Sequence, residues 1–270
     1  TITYPVVFHL IQDKTKVELG QGVGADIVNY AFNTIYNCFA RTAAFSPNGA
    51  DTKIRFRLAE YDPNGRKMEE KGINRYSLST SDLNNLNPEK IKNNPKICWD
   101  YKRYLNIWIV ENMGNSVSTP HYISNTADLN QIQGVSFEQL SLEEIEKQEY
   151  SLTDIGLIYG ARDFAIEDVG YPTQMGKFFG LLDTENQKED YCEDTFAYNT
   201  YKEPWNTALE GSNSRLKIST DGLIFYSVNI MDASSYKNTI SMDQVKRIRT
   251  ITDNCPLRWA WKSDWAFTGK

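Results

Sequence analysis

Two rhythms of apolar and polar positions run along this chain, and they place most of its elements. Tyr4 to Ile11 (YPVVFHLI) is an apolar, β-rich run and predicts a strand, with His9 inside it as a core or sheet-face histidine. Asp26 to Ala40 changes to helical spacing. Ile27, Ala31, Thr34, Ile35, Cys38 and Phe39 form its apolar stripe, and Asp26 caps or charges its first turn. Lys53 to Ala59 (KIRFRLA) alternates and predicts a half-buried strand, closed by the turn Asp62-Pro63-Asn64-Gly65, where proline fixes φ and glycine accepts a positive one. Ser81 to Pro95 reads as a surface loop with a short helix, and Tyr104 to Val110 (YLNIWIV) as a third strand. Thr119 to Thr126 is polar and irregular, and Leu140 to Glu149 is an acidic surface helix or insertion. Asp154 to Tyr159 predicts a short strand. Pro172 to Phe179 predicts a short helix, with proline at its first position and Gly180 as its stop. Gly222 to Ile230 is strand-like, and Ser241 to Thr252 reads as a helix with Ser241 as N-cap and Asp243 in its first turn. Trp259, Trp261 and Trp265 are expected to pack against the body.

Composition narrows the classes. The 270 residues suit one large domain, 1–270, or two tightly joined halves. A net charge of -6 argues against a nucleic-acid partner, which calls for a basic stripe. No apolar run approaches the ~20 residues of a membrane span, so the chain is expected not to cross a membrane. The 2 histidines, His9 and His121, cannot build a three-histidine zinc site. Cys38, Cys98, Cys192 and Cys255 lack CxxC spacing and fit either two disulfides or four buried thiols. A phosphate loop and a nucleophile elbow are both absent. The glycine-rich Gly20 to Gly24 does not follow the dinucleotide fingerprint.

Order along the chain carries more than any single motif. YPVVFHLI, a long helix, IRFRLAEYDPNG with GINRYS, RYLNIWIVENM, DIGLIY, TQMGKFFGLLD and NIMDAS follow one another. This succession, from about Tyr4 to Arg249, resembles the pappalysin-type metzincin metallopeptidases. Ile54 to Pro63, Tyr104 to Val110 and Asn229 to Ser234 are its most specific pieces. In that family a helix carries H-E-x-x-H-x-x-G-x-x-H, and a later Met-turn floors the metal. Thr173 to Asp183 is similar to that motif in frame, matching at Gly176 and Gly180, and Asn229-Ile230-Met231-Asp232 matches the Met-turn. The chemistry does not match. The ligand positions hold Thr173, Lys177 and Asp183, and the general-base position holds Gln174. A zinc ligand must offer a lone pair, which an ammonium cannot, and an amide cannot take a proton from water near neutral pH.

The resemblance implies an α/β, metzincin-like fold. Its parts are a twisted mixed sheet with a backing helix, an active-site-type helix, and a smaller irregular lower half, with the halves at about 1–180 and about 181–270. It implies a cleft near Thr173, Gln174, Lys177, Gly180, Asp183 and Met231. Lys177 and Asp183 are expected either to pair where a metal would lie or to be solvated on the cleft wall. The expected function is non-catalytic binding of peptide or protein, or scaffolding, without zinc. The alternative is an active hydrolase or peptidase with a relocated metal site. The family resemblance puts calcium candidates at Asp190, Glu193 and Asp194, although a solvated acidic loop is the commoner reading, and it also suggests a Cys192–Cys255 bridge. The expected location is secreted or cell-surface, with no export signal within these residues.

Overall fold

The computed structural model describes residues 1–16, 23–43, 49–166, 170–185, 189–198, 215–234 and 237–270. Nine strands are described: β1 (Ile2–Asp13), β2 (Ile54–Leu58), β3 (Ile73–Leu78), β4 (Leu105–Val110), β5 (Tyr122–Ser124), β6 (Glu138–Leu140), β7 (Gly156–Gly160), β8 (Leu216–Ile218) and β9 (Ile224–Tyr226). The helices are α1 (Ala25–Phe39), α2 (Thr80–Asn84), α3 (Pro88–Lys92), α4 (Leu142–Glu146), α5 (Ala161–Ala165), α6 (Tyr171–Phe178) and α7 (Met242–Asn254), followed by a last short turn of helix, Trp265–Thr268.

β1 organises the main sheet. It is long enough to hold two partners in tandem on one side: β2 along its first half (Ile2 opposite Ile54) and β3 along its second (Phe8 opposite Ile73). β4 lies on its other side and β7 beyond that, giving the order β2-β1-β4-β7. All these pairings are parallel. The sheet is mixed through one antiparallel bridge at its β7 edge, where Ser116 and Ile158 exchange N–H···O bonds of 2.9 Å each way.

Side chains alternate across the sheet, as the strand period requires. Phe8, Leu10, Ile107, Ile109, Leu157 and Tyr159 face a core shared with α1 and α6. Ile11, Trp108, Val110 and Ile158 face a second core closed by Leu83, Ile91, Ile97, Leu152 and Leu257. His9 is fully buried, as expected of a core histidine. Its Nε2 lies 2.7 Å from Asn106 Oδ1, its Nδ1 lies 2.9 Å from Asn74 Nδ2, and its ring stacks on Trp108 with centroids 5.9 Å apart.

Several expectations need correction. The buried stripe of α1 runs through Val28, Ala31, Ile35, Cys38 and Phe39; Ile27 and Thr34 are only half-buried, and Asp26 charges the first turn while Gly24 occupies the N-cap. β3 has too weak an alternation to announce itself and is held by its neighbour β1. The irregular stretch Thr119 to Thr126 contains β5, which pairs in parallel with β6. Of the run Gly222 to Ile230, only β9 is strand, paired antiparallel with β8. All four cysteines are free thiols, so neither a Cys192–Cys255 bridge nor a second disulfide forms. The tail packs as expected, with Trp265 Nε1 donating to Asp62 O at 3.1 Å and half-buried beside the Arg103 guanidinium. Among the described residues, no helix is long and apolar enough to cross a membrane.

Candidate functional site

Local chemistry explains where α6 starts and stops. Pro172 supplies a preset φ in the first turn. Gly180 has φ +84°, a left-handed conformation that favours glycine. Leu181 N–H then donates to Gly176 O and Gly180 N–H to Lys177 O, each at 2.9 Å, which is the paired closure of a Schellman end. Two buried guanidinium groups take the remaining carbonyls. Arg258 Nε donates to Phe178 O at 2.8 Å and Arg247 Nε to Gly180 O at 2.6 Å. Cations at a helix C-terminus also suit its dipole. Burial pulls the pKa of Arg258 down from 12.5 to about 10.

One face of α6 rests on the turn at Met231. A Cβ on Gly176 would lie 2.9 Å from Met231 Sδ and 3.1 Å from Ile230 Cδ1, so the missing side chain is what permits this approach. Thr173 Oγ1 donates to Ile230 O at 2.5 Å and accepts from Lys237 Nζ at 3.0 Å. The turn has its own lock. Met231 N–H donates to Asn229 Oδ1 at 3.0 Å, and the Asn229 and Gln244 amides exchange hydrogen bonds of 2.8 and 3.0 Å. Gln244 also completes the capping box of α7 with Ser241, which ties the turn to that helix.

Past the end of α6, Lys177 Nζ lies 3.1 Å from Asp183 Oδ1, with both side chains roughly one-third exposed. Thr184 Oγ1 contacts Asp232 Oδ1 at 2.5 Å, and Ser227 Oγ donates to Asp232 Oδ2 at 2.8 Å. Burial pushes the Asp232 carboxyl up, while these hydroxyls pull it down. Gln174 is half-buried, and no hydrogen bond of its side-chain amide forms among the described residues. The structure therefore brings Thr173, Lys177, Gly180, Asp183 and Met231 around one end and one face of α6.

Lys237 was not singled out in the sequence. It follows the turn in an irregular segment and meets Thr173 only through the fold, as Arg247 and Arg258 meet the α6 carbonyls. The histidines lie elsewhere: His9 inside β1, and His121 before β5, 3.7 Å from Glu138.

These residues do not fit zinc. Lys177 offers an ammonium, which has no lone pair to give, and the Thr173 hydroxyl is engaged by a carbonyl and a second ammonium. Among the described residues, no three His, Cys, Asp or Glu side chains converge as metal ligands would. Of the calcium candidates, Asp190 and Glu193 line one cavity together with Glu189. Asp190 accepts from Thr195 Oγ1 at 2.7 Å and from Cys192 N–H at 3.2 Å. Asp194 accepts from Ser241 Oγ at 2.6 Å and Asp243 N–H at 2.9 Å, at the start of α7, and Glu193 is exposed.

Comparison with known proteins places the fold. No family model matches the chain, and no curated protein matches it. Three solved structures of mirolysin from Tannerella forsythia, a metallopeptidase of the metzincin-related type, are similar to it at 19% identity. A promirolysin variant aligns with TM-score 0.62, covering 98% of this chain and 85% of that one. Mature mirolysin in complex with a cleaved peptide aligns with TM-score 0.61, covering 98% and 97%. Mirolysin in complex with compound 9 aligns with TM-score 0.66, covering 99% and 97%. The chain thus has a metzincin-like α/β fold over nearly its whole length.

Proposed function

We propose that this chain is a catalytically inactive, pappalysin-type relative of the metallopeptidases whose cleft binds peptide or protein. The observation that carries the reading is the 3.1 Å ion pair between Lys177 and Asp183, two positions that align with metal ligands in the motif. Around it, Thr173 is engaged on both sides and Gln174 offers no proton acceptor comparable to a carboxylate. Two of the three groups at the ligand positions pair with each other, and the third is taken by the Ile230 carbonyl and Lys237. The hydrogen-bonded turn at Met231 under α6 supports its identification as the Met-turn. The mirolysin complex with a cleaved peptide supports peptide as the class of ligand. The exposed Ser116 segment at the β7 edge is a suitable rim for an added strand. A secreted or cell-surface location belongs to this reading.

The test uses purified full-length chain. Zinc is counted by plasma mass spectrometry, and cleavage of a quenched-fluorescent peptide pool is followed with and without EDTA. The expected result is zinc far below one equivalent and no EDTA-sensitive cleavage. Stoichiometric zinc, or proteolysis that EDTA stops, would refute the proposal in favour of a hydrolase with a relocated metal.

A further inference from the structure

A cavity of about 390 Å³ opens between α4 and the chain that follows α7. None of the residues placed at the candidate site on α6 lines it. Its size falls within the roughly 300–1,000 Å³ of small-molecule sites. The wall is mostly apolar, made by Leu142, Ile145 and Pro256 with the rings of Tyr101 and Trp259. Ile145 and Pro256 are buried and form the fixed part of that wall. The two rings are also held in place. Tyr101 packs edge-on against Tyr150 with centroids 5.3 Å apart, and Trp259 Nε1 donates to Thr252 O at 3.0 Å.

The charged groups at the rim differ in what answers them. Glu146 pairs with Lys102 at 2.9 Å, and Glu143 pairs with Lys147 at 2.8 Å. Lys262 has only rings: its Nζ lies 3.1 Å from the centroid of Trp259 and 5.4 Å from that of Trp261. Among the described residues, that ammonium has no hydrogen bond and no carboxylate at ion-pair distance. Asp253 acts on it only through its field and pairs with Arg249 at 3.6 Å. A ring face attracts a cation without satisfying its three N–H donors. Beside it, Ser263 Oγ accepts from Trp265 N–H at 3.2 Å and keeps its own proton to donate. An apolar wall with one unanswered ammonium is complementary to a ligand divided the same way, a hydrocarbon body with one anionic head. The body removes apolar surface from water, and the head gains a charge-assisted hydrogen bond.

We infer that this cavity binds a small apolar carboxylate, its body against Tyr101, Leu142 and Trp259 and its head on Lys262. The inference stands apart from any peptide bound at α6.

The experiment titrates the full chain by calorimetry with phenylpropionate, with octanoate, and with the neutral amide of each. The first pair tests an aromatic body and the second an aliphatic one. In at least one pair the carboxylate is expected to bind about tenfold tighter than its amide, the size of one charge-assisted hydrogen bond. Lys262→Met should remove that preference and leave the amide's affinity unchanged. Leu142 is 47% exposed, so Leu142→Glu alters the wall without entering the core, and it should weaken the carboxylate more than the amide. Both variants are checked for an unchanged melting temperature. Raising salt from about 50 mM to about 500 mM should weaken only the carboxylate. Absence of saturable binding by either carboxylate would overturn the inference. So would equal binding of carboxylate and amide in both pairs, or a carboxylate preference that survives Lys262→Met.

Discussion

Acidification from about pH 7.5 to about pH 4.5 should weaken this fold through His9, and the size of the effect follows from its surroundings. His9 is fully buried between the Trp99 and Trp108 rings. The neutral ring satisfies both neighbours: Nε2–H donates to Asn106 Oδ1, and Nδ1 accepts from Asn74 Nδ2. Burial lowers its pKa from 6.5 to about 4, against a smaller upward pull from the Asn106 hydrogen bond. In the unfolded chain the ring titrates near the ordinary value. Its contribution is thus fully present above 6.5 and is lost as pH falls through the folded value. At about 1.4 kcal/mol per pH unit, the gap between 6.5 and about 4 corresponds to about 3 kcal/mol, of which about 2.5 kcal/mol is lost by about pH 4.5. Carboxylates held low by cations, such as Glu60 beside Arg57 and Glu70 beside Arg75, titrate over an overlapping range. The comparison is therefore between wild type and His9→Gln, whose amide can donate to Asn106 and accept from Asn74 without titrating. Urea unfolding of both at about pH 7.5, 5.5 and 4.5 gives the difference in stability at each pH. That difference should shift by about 1.4 kcal/mol at the middle pH and about 2.5 kcal/mol at the lowest. A difference that stays flat with pH would show that His9 is not held neutral by burial, and would refute the reasoning.

Other consequences can be checked independently. Gly176→Val should destabilise by about 1–3 kcal/mol in urea melts, because its Cβ must displace Met231 and Ile230 and a β-branched residue is less favoured in a helix. Arg258→Met should cost at least about 3 kcal/mol, since it strands the buried carbonyls of Phe178 and Asp154 that the guanidinium now satisfies; a loss below about 1 kcal/mol would mean water replaces it at no cost. Burial raises the thiols of Cys38, Cys192 and Cys255 to about 12 and Cys98 to about 11. Iodoacetamide at neutral pH should therefore leave the folded chain nearly unlabelled and add four groups after denaturation without reductant. Fewer than four would reveal a disulfide.

Legibility in the sequence tracked the strength of local pattern. β1, β4 and β7 are dense apolar runs, and each was placed to within about two residues, the usual uncertainty of an element end. α6 and α7 carry their own punctuation, proline and glycine for one and a serine capping box for the other. β3, β5 and β8 are short or weakly alternating, and their backbone groups are satisfied by a neighbour rather than by any signal of their own. At the candidate site, glycine is needed at two places: at Gly176 for the approach to Met231 and at Gly180 for a positive φ.

The sequence by itself thus determined β1, β2, β4, β7, α1, α6 and α7, where α6 stops, and that residues 173, 174, 177 and 183 are threonine, glutamine, lysine and aspartate. These follow from periodicity, caps and residue chemistry, which act over a few neighbours. Tertiary structure alone decided that β1 carries β2 and β3 end to end, that the four thiols stay apart, and that Lys177 meets Asp183 rather than solvent. It alone brought Lys237 across 64 positions to Thr173 and set Arg247 and Arg258 against the end of α6. A long polar side chain reaches whatever donor or acceptor the packed chain leaves beside it. That neighbour is fixed by the closure of the whole core, and no local pattern records it.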